Sequence, residues 1–397
     1  MNLKTLLPIV LVLTLVSGGE LTAQQPAVPD KYRDLYETLA SKLADTSRAF
    51  DRLSTSASAP TFGVELTAAN GNRGPVLLEP RARGSVRVNL DAFKEIGVSG
   101  VTIASMYPMF CKGFAHAEEY LDFYKFCVTE ARQRGFKVHF KVGEAFHDPV
   151  HGHLPVAEFY KELTAERFMR EKRQMIEITL RELQPDYLTV ANEPDTSAMN
   201  TGLDFSPDNF IRYVRAFTKD LPRGTTKVGA GAGTWSPLTY WQKLAPEPSV
   251  DYLDMHIYPI NREYLTERPL EVAALAKKHH KFLIIGEGWL YKSRDGELGK
   301  GGTGYVTLYA RDIFAFWEPL DAEFIRALAK FSRGEDVEYM SLFWVNLLYG
   351  NVDYAPALDA KSAGELQQLA VRAAVPNIVA RKPSPTGAAY RQVIRGR

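Results

Sequence analysis

The chain has 397 residues, 45% of them hydrophobic and 24% charged, with a formal net charge of +1. That composition is ordinary for a globular protein, and the length suits one large α/β domain or two small ones. No block of like charge occurs, which argues against a nucleic-acid or anionic-membrane partner and favours a neutral substrate.

The amino terminus reads as an address. Lys4 supplies a short positive region, and Leu6 to Val16 an apolar core of signal-peptide length, too short to span a bilayer. Residues 1–23 are expected to be a signal peptide cut after Ala23, or nearer Gly19 because Leu21 is large for its place. The expected product is secreted or periplasmic, monomeric, and free of the membrane once cut. A retained anchor helix is the competing reading, and the shortness of the run argues against it. Residues 24–59 then hold a helix, Lys31 to Leu53, and a small polar linker, Ser54 to Pro60. Tyr32, Leu35, Tyr36, Leu39, Leu43, Phe50 and Leu53 fall mostly at three- and four-residue spacing, as on a helix packed outside the main fold.

From residue 60 to 397 strands and helices alternate. Phe62 to Leu66, Gly100 to Pro108, Lys137 to Glu144, Tyr187 to Asp195, Lys227 to Trp235, Tyr252 to Pro259, Phe282 to Trp289 and Tyr339 to Gly350 read as strands. The expected helices are Ser85 to Ile96, Glu119 to Arg134, Thr164 to Leu183, Ser206 to Asp220, Leu238 to Leu244, Pro269 to His279 and Arg311 to Lys330. Ser362 to Ala374 and Thr386 to Ile394 close the chain. Eight such repeats predict an α/β fold, a (β/α)8 TIM barrel with an extra N-terminal helix. The glycines and alanines of Lys227 to Trp235 suit a crowded barrel interior. An open doubly wound sheet is the alternative, but LTAANGNRG after the first strand lacks the spacing of a phosphate loop. The two cysteines, Cys111 and Cys127, fit either a disulfide or two buried thiols.

In such a barrel the carboxyl ends of the strands form the active face. Those ends collect Glu65, Tyr107, Glu144, Asn192, Glu193, Trp235, His256, Tyr258, Glu287, Trp289 and Trp344. A carboxylate pair among aromatics and hydrogen-bond donors is what glycosidic bond cleavage needs. One carboxyl protonates the leaving oxygen, the other attacks the anomeric carbon, and aromatic faces stack on the sugar. Ala-Asn-Glu-Pro ending a fourth strand, His-Ile-Tyr-Pro a sixth and Ile-Gly-Glu-Gly a seventh resemble the clan A glycoside hydrolases, the 4/7 superfamily. The resemblance implies retaining chemistry, with Glu193 as acid/base and Glu287 as nucleophile. It implies that Asn192 binds the hydroxyl beside the anomeric carbon, that Tyr258 and His256 orient the nucleophile or its sugar, and that Trp344 is a stacking platform. The group often carries an arginine near the nucleophile from an early strand. None falls at the tip of strand one or two here, and Lys141 is the candidate to stand in.

Bland readings compete. His256, Tyr258 and Trp344 could be core residues, and Glu65 could simply pair with Lys141 inside the barrel. Glu65, Lys141, Tyr107 and Trp289 are expected to contact substrate, with Trp289 and Tyr291 as cleft wall. His147, Asp148, His151 and His153 lie close in sequence, but without tight ligand spacing, so no metal and no cofactor is expected. The expected partner is an oligo- or polysaccharide. The segments 109–117, 146–155 and 291–305 read as long loops, the last glycine-rich enough for a mobile flap. A carbohydrate-binding barrel without turnover is the alternative function; two retained glutamates argue against it.

Overall fold

The computed structural model describes residues 27–53, 59–148, 152–259, 261–298 and 304–396. The expected signal peptide lies outside them, as do most of the linker, His151 and part of the segment after the seventh strand. Eight parallel strands close a barrel in chain order. They are β1 (Thr61–Glu65), β2 (Gly100–Tyr107), β3 (Lys137–Glu144), β4 (Tyr187–Thr189), β5 (Lys227–Gly233), β6 (Tyr252–Ile257), β7 (Phe282–Gly288) and β8 (Tyr339–Leu342), with β8 returning to β1. Parallel strands covered on both faces need apolar runs, and every residue of β2, β4, β6 and β8 is buried.

The helices run outside. In order they are α1 (Asp30–Phe50), α2 (Pro80–Ile96), α3 (Ala117–Gln133), α4 (Ala157–Tyr160), α5 (Ala165–Glu182), α6 (Pro194–Thr201) and α7 (Pro207–Thr218). Then follow α8 (Leu238–Leu244), α9 (Arg268–Lys278), α10 (Tyr305–Asp312), α11 (Glu318–Gly334), α12 (Ala363–Val379) and α13 (Pro385–Ile394). Local chemistry marks the ends: Thr164 accepts the Arg167 amide at the start of α5, and Ser362 and Glu365 form a reciprocal cap on α12. Among the described residues no helix is long and apolar enough to cross a membrane. Cys111 and Cys127 are both free and buried.

The barrel is filled in layers. Tyr187, Tyr252, Ile284 and Tyr339 pack together at the amino ends of the strands. The Tyr252 ring lies on Gly229, where a Cβ would come within 2.2 Å of it, so that glycine is there for space. Above sits a polar layer: Thr102 donates to Ser341 at 2.9 Å, and Thr189 donates to Asp254 at 2.6 Å with His139 Nε2 2.9 Å from its hydroxyl. The third layer holds Glu65, Lys141, His256 and Glu287, and the cavity opens beyond it. Some predicted elements differ. Strand four stops at Thr189, short of the predicted Asp195, and Pro194 already opens α6. Strand eight stops at Leu342, and Val345–Leu348 coils into a 3-10 turn. The predicted Arg311 to Lys330 helix is two, α10 and α11, and Pro319 stands in the first turn of the second.

Candidate active site

A cavity of about 780 Å³ lies at the carboxyl ends of the strands. Glu193 and Glu287 both line it, with Asn192, Tyr258, Trp344 and Lys141. Glu193 follows β4 and precedes Pro194, the first residue of α6. Its backbone is left-handed, φ 44° and ψ 72°, a conformation that side chains disfavour and that clusters at functional sites. One carboxylate oxygen accepts from Thr196 Oγ1 at 2.8 Å, and the other lies 2.7 Å from His256 Nδ1.

Glu287 is held by three groups. Tyr258 donates its hydroxyl to one carboxylate oxygen at 2.6 Å, and Lys141 donates to the other. His256 Nδ1 lies 3.6 Å away. Burial alone would raise the Glu287 pKa; the charges of His256 and Lys141 outweigh it and hold the carboxyl below the usual range. Burial would lower His256, but Glu287, the Glu193 contact and Asp254 push it up to about 9. Burial also opposes the charge on Lys141, yet Glu287 and Glu65 carry its pKa well above the ordinary lysine value. Glu65 moves upward, because burial exceeds the pull of Lys141.

Glu65 and Lys141 do pair, at 3.0 Å, and the same ammonium reaches Glu287. Lys141 is thus the cation beside Glu287 where the resemblance implied an arginine. His256 is wholly buried beneath the cavity, and the Asn192 amide lies 3.3 Å from its Nε2. Trp344 forms part of the wall, its ring 4.5 Å from Tyr309 and 5.0 Å from Phe343. Trp235 also lines the cavity and donates Nε1 to Asp195 at 2.8 Å. Glu144 is committed to Lys172 and to Ser197, whose hydroxyl donates at 2.5 Å, so it anchors α6 to β3.

Four residues expected at the substrate are absent from the wall: His256 and Glu65, both wholly buried, and Tyr107 and Trp289. Tyr107 points outward from β2, donates to Glu171 on α5 at 2.8 Å, and packs edge-on against Phe168 at 5.2 Å. Strand alternation gives the inward places to Ala104 and Met106, one or three residues earlier, and both line the cavity. Trp289 is buried under the Lys292 ammonium, 5.4 Å from its ring, because β7 ends at Gly288 and the alternation lapses there. Tyr291 does reach the cavity.

Sequence reasoning missed Asn70, Asn72 and Arg73 after β1, Thr196 and Ser197 on α6, and Asn261 and Tyr264 after β6, all of which line the cavity. Asn-Gly-Asn directly past a strand tip was the available signal. Asn72 ties two wall segments together, accepting the Phe146 amide at 3.0 Å and the His153 amide at 2.7 Å. The segment after β2 instead buries Met109, Phe110, Cys111 and Phe114 and stays out of the wall. Among the described residues, one trio could approach a cation together: Glu193, His256 and Glu287. His147, Asp148 and His153 line the cavity without forming such a trio among the described residues.

No protein-family model matches the chain, and no curated protein matches it in sequence. Solved structures do match in fold. A GH5_18 protein from Bifidobacterium longum subsp. longum superposes with a TM-score of 0.57 at 13% identity, over 85% of this chain and 79% of that one. An exo-β-1,4-mannosidase from Opitutaceae bacterium strain TAV5 gives 0.56 at 12% identity, over 87% of this chain. This chain spans 61% of that mannosidase's length. A GH1 β-glucosidase from the fungus Humicola insolens gives 0.53 at 13% identity, over 86% of this chain and 99% of that one. GH5 and GH1 are both clan A groups, and the closed barrel of eight parallel strands found here is a fold this chain shares with these glycoside hydrolases.

Proposed function

We propose that the chain is a retaining glycoside hydrolase that cleaves a β-linked neutral saccharide outside the cytoplasm. The observation that carries the reading is the carboxylate pair: oxygens of Glu193 and Glu287, with a ring nitrogen of His256, lie within 4.8 Å of one another. Retaining enzymes hold their two carboxyl groups about 5–5.5 Å apart, whereas inverting enzymes leave about 6.5–9.5 Å for a water. Glu287, kept ionised by Lys141 and His256, attacks the anomeric carbon. Glu193 protonates the leaving oxygen. Glu193 then takes a proton from the water that releases the sugar from Glu287. Asn192 binds the neighbouring hydroxyl, Tyr258 fixes the attacking carboxylate, and Trp344 stacks on a ring. Lys141 is neutralised by Glu65 and Glu287, which favours an uncharged sugar at the floor. The apolar run Leu6 to Val16 supports export.

The test is a panel of aryl β-glycosides and polysaccharides. It begins with β-mannosides and β-glucosides, the linkages for which two of the similar structures are named. Hydrolysis whose first product keeps the β configuration supports the proposal. An α first product overturns the retaining mechanism. Binding across the panel without turnover overturns the enzymatic reading in favour of a carbohydrate-binding barrel.

A further inference from the structure

Between β6 and β7 the register slips by one residue. Asp254 pairs with Ile284 and Met255 with Ile285, but His256 pairs with Glu287, and Gly286 has no partner. This is a bulge, an extra residue that re-aims the strand beyond it. Ile284 faces the barrel interior with Tyr187, Tyr252 and Tyr339, and Ile285 belongs to the core outside. Plain alternation would therefore send Glu287 outward beside Ile285. The bulge turns it inward instead, to Tyr258, Lys141 and the cavity.

Asp254 fastens that bulge. Its Oδ1 accepts the Gly286 amide at 2.8 Å. A Cβ at Gly286 would lie 2.3 Å from the same oxygen, so the glycine leaves the carboxylate its place. Its Oδ2 accepts from Thr189 at 2.6 Å and lies 3.9 Å from His256 Nε2. Asp254 is wholly buried and does not reach the cavity. A buried carboxylate is costly unless its oxygens are matched, and here every contact faces the strand that bears Glu287 or the layer beneath His256.

We infer that Asp254 is a positioning residue: its carboxylate fixes the Gly286 bulge that turns Glu287 into the barrel, and it seats His256 beside that glutamate. The assignment rests on the proposed function only in naming Glu287 the nucleophile. Asp254→Ala, Asp254→Asn and Gly286→Ala test it on an activated aryl β-glycoside. Asp254→Ala is expected to lower kcat by about 100-fold with KM little changed, since a misplacement near 1 Å costs that much. Asp254→Asn keeps an oxygen for the Gly286 amide and is expected to retain most of the activity. Gly286→Ala attacks the same contact from the other strand and is expected to lose as much as Asp254→Ala; if one of the two folds poorly, the other carries the test. The crystal structure of Asp254→Ala is read for the register, whether or not the wild type hydrolyses anything. Loss of the bulge, with Glu287 withdrawn from Tyr258, supports the inference even if the catalytic reading fails. An intact bulge with the Tyr258 contact kept, or a loss in Asp254→Asn as deep as in Asp254→Ala, overturns it.

Discussion

Glu193 joins strain to chemistry in one residue. A non-glycine residue in left-handed backbone costs on the order of 1–3 kcal/mol, and the Pro194 ring and the start of α6 hold it there. Glu193→Gly relieves that strain, so it suits the rescue experiment better than Glu193→Ala. It is expected to slow substrates with poor leaving groups by about 10²–10⁴-fold and activated aryl glycosides far less, because only the former need the proton. Azide should restore turnover with retained configuration; equal losses on both substrate types would count against Glu193 as the acid. The pH profile probes its neighbour. His256 is raised from 6.5 to about 9, so its protonated contacts stabilise the fold fully below its ordinary range, and that stability is lost as pH rises through about 9. His256 loses its proton in the same window, so kcat/KM is expected to fall near pH 9. On the acid side the depressed carboxyl of Glu287 moves the limb below the usual glutamate range. An alkaline limb near the ordinary histidine value would sink this account of the pair.

At the scale of elements, glycine does opposite work in strand and helix. In β5 a methyl on Gly229 would meet the Tyr252 ring at 2.2 Å, with that ring fixed inside the barrel. Gly229→Ala is expected to cost about 1–3 kcal/mol, as overpacking does, and to lower the melting temperature. On α2 nothing lies within 4 Å of a methyl at Gly84, and Gly84→Ala is expected to stabilise by up to about 1 kcal/mol. Thermal unfolding of the pair gives shifts of opposite sign, and equal signs would refute the packing argument. The strands were legible because both faces are buried: the starts of β2 to β8 fall where apolar runs begin, and β3 matches from end to end. Their ends were less so. Phe343 to Leu348 is as apolar as β8, and composition does not reveal that it coils. The same limit governs the site. Glu193 and Glu287 could be read from polar residues breaking apolar runs. Tyr107 needed the phase of the alternation, and Asp254 needed the bulge, which exists only once β6 and β7 lie side by side.

For the whole molecule, the open question is whether the barrel stands without α1. That helix lies outside the closed sheet, yet Leu35, Leu39, Leu43 and Phe50 are buried by it. Phe50 meets Phe331 of α11 at 5.2 Å, Tyr36 stacks on Trp317 at 5.7 Å, and Thr46 shares a 2.7 Å hydrogen bond with Thr266. Each large apolar side chain buried is worth about 1.5–3 kcal/mol. Four of them rival the roughly 5–15 kcal/mol that separates a folded domain from its unfolded chain. The surface they cover on α11 would also be left bare, an apolar patch of the kind that drives aggregation. So α1 acts as part of the barrel's wall, although it belongs to none of the eight repeats. A chain beginning at residue 59 is expected to aggregate, or to melt at a much lower temperature than one beginning at residue 27. The same loss is expected from Leu39→Asp with Leu43→Asp in the longer chain, because those charges face α11 instead of solvent. Thermal melts and size-exclusion profiles of the three proteins decide the matter. A truncated barrel that stays soluble and melts within a few degrees of the longer chain would show that α1 is an appendage.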